Sequence, residues 1–132
     1  GFTQGFVAKN APGAGDVFPQ GRVRHGEAEG LFDDLAGRGF MIVYRGASPL
    51  DVLSKDMLDF FFSLGGHIVE IADAAGASAE AFADLDGRYL GLMDALQCDI
   101  LLKRPDFYLF GACRATADLP SLMQDMRTQL GA

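Results

Sequence analysis

The sequence predicts an α/β domain in which a mixed β-sheet is flanked by helices, and three observations carry that prediction. Residues 40–44 (Phe-Met-Ile-Val-Tyr) form a continuous apolar run, the mark of a strand buried on both faces. An amphipathic helical pattern and a second β-prone run follow, as in a parallel crossover. Two further β-prone runs, divided by Pro105-Asp106, read as an antiparallel hairpin. The 132 residues are 49% hydrophobic and 22% charged, enough for one domain with a core and too few for two.

Taken in order, the opening third is the least regular. Nine of the 17 glycines fall within the first 39 residues, and Ala11-Pro12-Gly13-Ala14-Gly15-Asp16 and Phe18-Pro19-Gln20-Gly21 carry no periodicity. Residues 1–30 are therefore expected to be an irregular, glycine-rich strap from a neighbouring body, and residues 31–132 the domain proper. Phe2, Phe6, Val7, Val17, Phe18 and Val23 are too many apolar residues for a solvated tail, and are expected to lie on a surface.

Residues 31–35 read as a turn or short helix, and 40–44 as the first strand. Ser48-Pro49-Leu50-Asp51 then supplies an N-cap, a proline at the first helical position and an acid in the first turn. Leu50, Leu53, Met57, Phe61 and Leu64 repeat on one face, so a helix is expected up to Gly65-Gly66. Leu58 and Phe62 make a second apolar stripe on it, a candidate contact surface. Residues 67–71 predict a second strand, 72–83 stay unassigned, and 86–97 predict a helix that Gly87 and Gly91 weaken. The runs 99–104 and 107–111 are the hairpin. Asp118 is expected to cap a last helix with Leu119, Leu122, Met123, Met126 and Leu130 inward. Strand, helix, strand, helix, hairpin and closing helix is the order of thioredoxin-like domains.

The chemistry of that fold is not visible. Its reactive thiols belong where the first strand enters the helix, and the chain there reads Arg45-Gly46-Ala47-Ser48-Pro49. Pro105 sits inside the hairpin turn, not before it. If Pro105-Asp106 is a two-residue loop, Cys98 and Cys113 fall opposite one another and a disulfide is conceivable; the favoured reading is two buried, reduced thiols. His67 and Glu70, three apart in a strand, point to opposite faces and cannot share an ion, and His25 stands alone. Asp84-Leu85-Asp86-Gly87 resembles part of a calcium loop, but the remaining ligand positions would be Phe82 and Met93, so Asp84 or Asp86 is read as a helix cap. Asp33-Asp34 is read as a turn or cap. Neither Gly13-Ala14-Gly15 nor Gly37-Arg38-Gly39 precedes a helix as a nucleotide-binding turn would.

Eleven Lys and Arg against 18 Asp and Glu give a net charge of -7, which disfavours nucleic acid. Lys103 and Arg104 are read as edge-strand charges. No apolar run approaches the roughly 20 residues of a membrane span, and two cysteines make no disulfide scaffold, so the expected location is cytoplasmic. The chain opens on Gly1 and reads as a piece of a longer one.

The C-terminal half carries a resemblance. Asp86-Gly87-Arg88-Tyr89, an amphipathic helix, the run from Asp99 through Arg104-Pro105-Asp106 to Gly111, and a closing leucine-rich helix together resemble the thioredoxin-like C-terminal domain of FAD-dependent aromatic-ring monooxygenases of the 3-(3-hydroxyphenyl)propionate and phenol hydroxylase type. Phe18-Pro19-Gln20-Gly21-Arg22-Val23 and residues 31–40 resemble the linker that opens that domain. The resemblance implies a parent that binds FAD, takes electrons from NADH or NADPH, and inserts one oxygen atom into a phenolic ring. It implies that the FAD-binding catalytic body of the same polypeptide is the partner, and that some members form homodimers. Arg104, Pro105 and Asp106 carry over as a hairpin turn and Gly111 as a tight backbone position. No catalytic, cofactor-binding or metal residue carries over. The alternative is a free-standing thioredoxin-like binding or oxidoreductase protein lacking the paired thiols.

Overall fold

The structure, a computed structural model, describes residues 5–131. Its seven-stranded sheet runs β2-β1-β5-β4-β3-β6-β7, from β1 (Arg22–His25), β2 (Ala28–Leu31), β3 (Met41–Tyr44), β4 (His67–Asp73), β5 (Phe82–Asp84), β6 (Ile100–Lys103) and β7 (Leu109–Cys113). Four helices complete it: α1 (Phe32–Ala36), α2 (Lys55–Ser63), α3 (Arg88–Leu96) and α4 (Leu119–Gln129). β3 lies inside the sheet, as its unbroken apolar run requires: it runs parallel to β4 (Met41 opposite His67) and antiparallel to β6 (Met41 opposite Lys103). Its alternate side chains feed two cores. Phe40 and Ile42 meet α2 and α4 on one face, while Met41 and Val43 meet α1 and α3 on the other.

The helix expected from Leu50 is two pieces. Ser48 Oγ accepts from Leu50 N at 3.2 Å and closes a 3-10 turn, Pro49–Asp51; Ser54 Oγ then accepts from Met57 N at 3.1 Å and starts α2. Each serine offers the backbone a partner that a continuing helix would not, so the chain caps twice. The end falls as expected. Gly65 turns left-handed at φ 77°, and a Cβ on Gly66 would come within 2.5 Å of the Phe61 ring.

Other elements differ from expectation. The strap gives way at Arg22 to the β1–β2 hairpin, closed by Gly26 at φ 60°. It carries no alternation because only Val23 inserts, between Arg22 and Arg24. Residues 82–84 make the short strand β5, paired with both β4 and β1. Asp118 offers no side-chain cap; it ends a 3-10 turn, Thr116–Asp118, that runs directly into α4. The capping carboxylate is Asp84, whose Oδ2 accepts from Tyr89 N at 3.1 Å and Leu90 N at 2.9 Å.

The hairpin register corrects the cysteine geometry. Ile100 pairs with Cys113, a bulge follows Leu102, and the connection is longer than two residues: Arg104 N donates to Tyr108 O at 2.8 Å, with Phe107 at φ 66°. Cys98 therefore lies outside the ladder and not opposite Cys113. The thiols are free and buried, in cores on opposite faces of the sheet.

Candidate functional site

The most heavily built region of the molecule is where the strap crosses the edge of the sheet. β7 is an end strand, and an uncovered end strand would leave a row of unpaired main-chain groups. The strap supplies the partners. Ala8 N donates to Phe110 O at 2.8 Å, Gly15 N to Leu109 O at 3.0 Å, Leu109 N to Asp16 O at 2.7 Å and Phe18 N to Phe107 O at 2.8 Å. In crossing, it places Phe6 in one core and Phe18 in the other, so the aromatics expected on a surface are buried inside both. Val17 alone among the described apolar residues of the strap stays largely exposed, bridged to Tyr108; Phe2 lies outside the described residues.

Two adjacent cations face those aromatics. Because successive residues of a strand point to opposite faces, Lys103 and Arg104 enter different cores. Lys103 is fully buried: Nζ donates to Gly39 O at 2.8 Å and lies 4.9 Å from the Phe107 ring centroid and 5.8 Å from that of Phe18. Burial holds its pKa below the usual lysine value. Arg104 is buried too: Nη1 donates to Phe6 O at 2.8 Å and Nε to Asp106 Oδ1 at 2.9 Å, while Nη2 completes the fork on Asp106 Oδ2. Its Cζ lies 5.7 Å from the Phe6 and Tyr108 rings alike. Each cation thus sits between one aromatic of the strap and one of the turn. The edge-charge reading of Lys103 and Arg104 is corrected: β6 lies inside the sheet, between β3 and β7.

The motif residues meet here. Arg104 and Asp106 form the clasp, Pro105 lies between them, and Gly111 is held against the strap, where a Cβ would stand 3.0 Å from the methyls of Ala8 and Ala11. Tyr89 makes a second clasp. Its hydroxyl donates to Pro19 O and accepts from Gly21 N, both at 2.9 Å. The signal was weak, since a tyrosine at an inward helix position reads the same whether or not its hydroxyl has a partner.

Leu58 and Phe62 are not in this region. On α2, Leu58 is partly buried against the core and Phe62 is 51% exposed, so Phe62 is what presents apolar surface. At the strand-to-helix junction Arg45 reaches Asp94 Oδ1 at 2.6 Å and Asp99 Oδ1 at 3.1 Å, a surface ion-pair cluster. His25 stacks on Phe82 at 4.1 Å. Among the described residues no group of three or more His, Cys, Asp or Glu could hold a metal, and no helix is long and apolar enough to cross a membrane. Of the two glycine pairs, Gly15 N donates to Leu109 O of β7 while Gly13 O accepts from Asp16 N, and Gly37 and Gly39 lead into β3.

The profile of the HcaD C-terminal domain family matches residues 15–129. The chain belongs to that family. As an HcaD C-terminal domain it is 31% identical over 112 residues to a probable NADH-specific resorcinol 4-hydroxylase of Rhodococcus jostii (strain RHA1), a match covering 85% of this chain and 21% of the relative. It is 29% identical over 111 residues to a 3-(3-hydroxy-phenyl)propionate/3-hydroxycinnamic acid hydroxylase of Mycobacterium sp. (strain JLS), covering 77% and 20%. The fold is shared with the flavin-dependent monooxygenase PieE, solved in complex with FAD and substrate, at a TM-score of 0.63 and 19% identity over 94% of this chain and 21% of that one. The chain spans about a fifth of the length of these relatives and is homologous to the C-terminal part of flavin-dependent aromatic hydroxylases.

Proposed function

We propose that this chain is a non-catalytic assembly domain of a cytoplasmic aromatic hydroxylase that uses FAD and NADH or NADPH to insert one oxygen atom into a phenolic ring. The observation that carries the reading is the family match over residues 15–129 in a chain about a fifth as long as its hydroxylase relatives. The structure supports it from the other side: Arg104, Asp106, Gly111 and Tyr89 hold main chain and packing.

In this reading residues 1–30 arrive from the FAD-binding body and seat on the domain formed by 31–132. The core is thioredoxin-like, supported by the order β4-β3-β6-β7, in which β6 alone runs opposite to the other three, closed by α4. Arg45 with its two aspartates fills the place of the reactive thiols. The exposed Phe62, with Leu58 at its foot, is assigned to a contact between the subunits of a homodimer.

The test compares absorbance and phenol-dependent NAD(P)H oxidation for this chain and for the full-length product of its gene. Flavin colour and turnover confined to the longer protein support the reading, and flavin binding or disulfide reduction by the short chain overturns it. Phe62→Asp in the longer protein should shift sedimentation from dimer to monomer; an unchanged dimer removes that surface from consideration.

A further inference from the structure

Four consecutive strap residues are bound through their main chain by groups that do not belong to the strap. Phe6 O accepts from Arg104 Nη1 at 2.8 Å, Val7 O accepts from Gln129 Nε2 at 2.8 Å, Ala8 N donates to Phe110 O at 2.8 Å, and Lys9 N donates to Asp125 Oδ2 at 2.9 Å. Val7 N donates to Gly5 O at 2.9 Å, and the bend there turns Phe6 and Ala8 inward. Phe6 is buried, its ring 5.1 Å from Phe110 and 6.3 Å from Phe40; Ala8 is buried over the bare backbone of Gly111; Lys9 points to solvent.

The binding groups are also held by partners outside the strap. Arg104 is fixed by Asp106, and Gln129 Nε2 donates to Asp125 Oδ1 at 2.9 Å. Residues 9–12 of the strap, the end of β7 and α4 together line a cavity of about 230 Å³ that includes Arg114, Ser121 and Asp125. Main-chain groups held by one strand carbonyl and three side chains, one aromatic socket and one position restricted to a small side chain are elements of peptide recognition.

We propose that the groove between β7 and α4 is a peptide-binding site for a segment with phenylalanine at one position and alanine or glycine two residues later, and that residues 6–9 occupy it in cis. The inference stands apart from the hydroxylase reading, since it rests only on contacts within this chain. A ligand site of this kind releases and rebinds its occupant, whereas a piece of core does not.

The experiment inserts a protease recognition sequence between Ala14 and Gly15 of the full chain, in the turn at the strap's outer bend, and cleaves it after folding. The released N-terminal peptide is expected to co-elute with the remainder at micromolar concentration. It should also exchange with a synthetic peptide of residues 1–14 bearing a fluorophore on the Lys9 side chain. In competition, Phe6→Ala in the peptide should weaken binding at least ~100-fold, Ala8→Leu should abolish it, and Lys9→Ala should leave it unchanged. Gln129→Ala in the nicked chain should speed release about tenfold, while the uncleaved variant keeps its circular dichroism. Loss of the peptide with the remainder still folded, unfolding of the remainder on cleavage, a peptide that never exchanges, or an Ala8→Leu peptide that competes normally would each overturn the proposal.

Discussion

Replacing Tyr89 by Phe isolates the second clasp, because it removes one oxygen and leaves the ring in place. That ring is fully buried, 5.4 Å from Phe18 and 4.8 Å from Phe32, so packing is conserved and only the hydroxyl's two partners change. Gly21 N–H, buried, loses its acceptor, and Pro19 C=O loses its donor. A stranded buried N–H costs about 1–3 kcal/mol and a partly buried carbonyl less, so the variant should lose about 2–3 kcal/mol. For a domain of this size that is a fall in Tm of about 10 °C. Urea unfolding followed by circular dichroism should show a lower midpoint at an unchanged slope. Amide exchange should speed up at Gly21 and Phe18 before it does in β3. The phenol adds a pH signature: burial raises its pKa above 10, so its contribution is intact below pH 10 and lost as pH rises through the folded value. Tyr89→Phe should flatten the wild type's decline in stability above pH 10. A loss under 0.5 kcal/mol, or accelerated exchange throughout the sheet, would refute the argument that the hydroxyl ties residues 19–21 to α3.

Two glycines should respond with opposite signs. Gly66→Ala drives a methyl to 2.5 Å from the immobile Phe61 ring and should cost about 2–3 kcal/mol, whereas Gly91→Ala, inside α3 with open space around it, should gain about 0.5–1 kcal/mol; thermal melts of both variants decide it. The buried thiols should be inert in the native chain, labelling with an aromatic disulfide at pH 8 only as fast as the domain opens. Burial, reinforced by the charge of Asp118, pushes Cys113 up to about 12 from 9, so its share of stability is complete below pH 9 and lost as pH rises toward 12. Unfolding free energies measured from pH 8 to 10.5 should therefore fall more steeply in the wild type than in Cys113→Ala, by about 1.4 kcal/mol per pH unit above 9; parallel curves would contradict the assignment.

The sequence disclosed those parts of the fold that depend on a repeating pattern. The apolar run at 40–44, the helical stripes before Gly65 and after Leu119, and the hairpin signals around Pro105 each bury a face, and burial writes itself into periodicity. What escaped reading depends on single residues meeting across long separations in sequence. Arg22-Val23-Arg24-His25 is a strand because Val23 alone fills a place under Tyr89 and Phe32, and Phe82-Ala83-Asp84 is one because β4 and β1 lie on either side of it. Lys103 and Arg104 offered the strongest misdirection. Two charges beside a turn ordinarily mean solvent, yet each is sunk among aromatics, and the partners that make burial tolerable, Phe6 and Phe18, stand 98 and 85 residues... away in a segment with no pattern of its own.

The same contacts explain why the strap's composition looks wrong for a linker. A solvated connection has no use for Phe6 and Phe18, while a segment that must cross an exposed strand needs apolar anchors on both sides and flexible backbone between them. Gly13 and Gly15, both left-handed, supply the bend at the outer edge of β7, where a Cβ on Gly13 would meet Leu96 at 2.8 Å. Each buried phenylalanine is worth about 3–5 kcal/mol on truncation, so releasing either end costs a large part of what a domain of this size has in total. In the proposed peptide site the Phe6 half would leave by bending at Gly13–Gly15, at that cost, while Phe18 stays seated. That division is why the proposed cleavage is placed at Ala14.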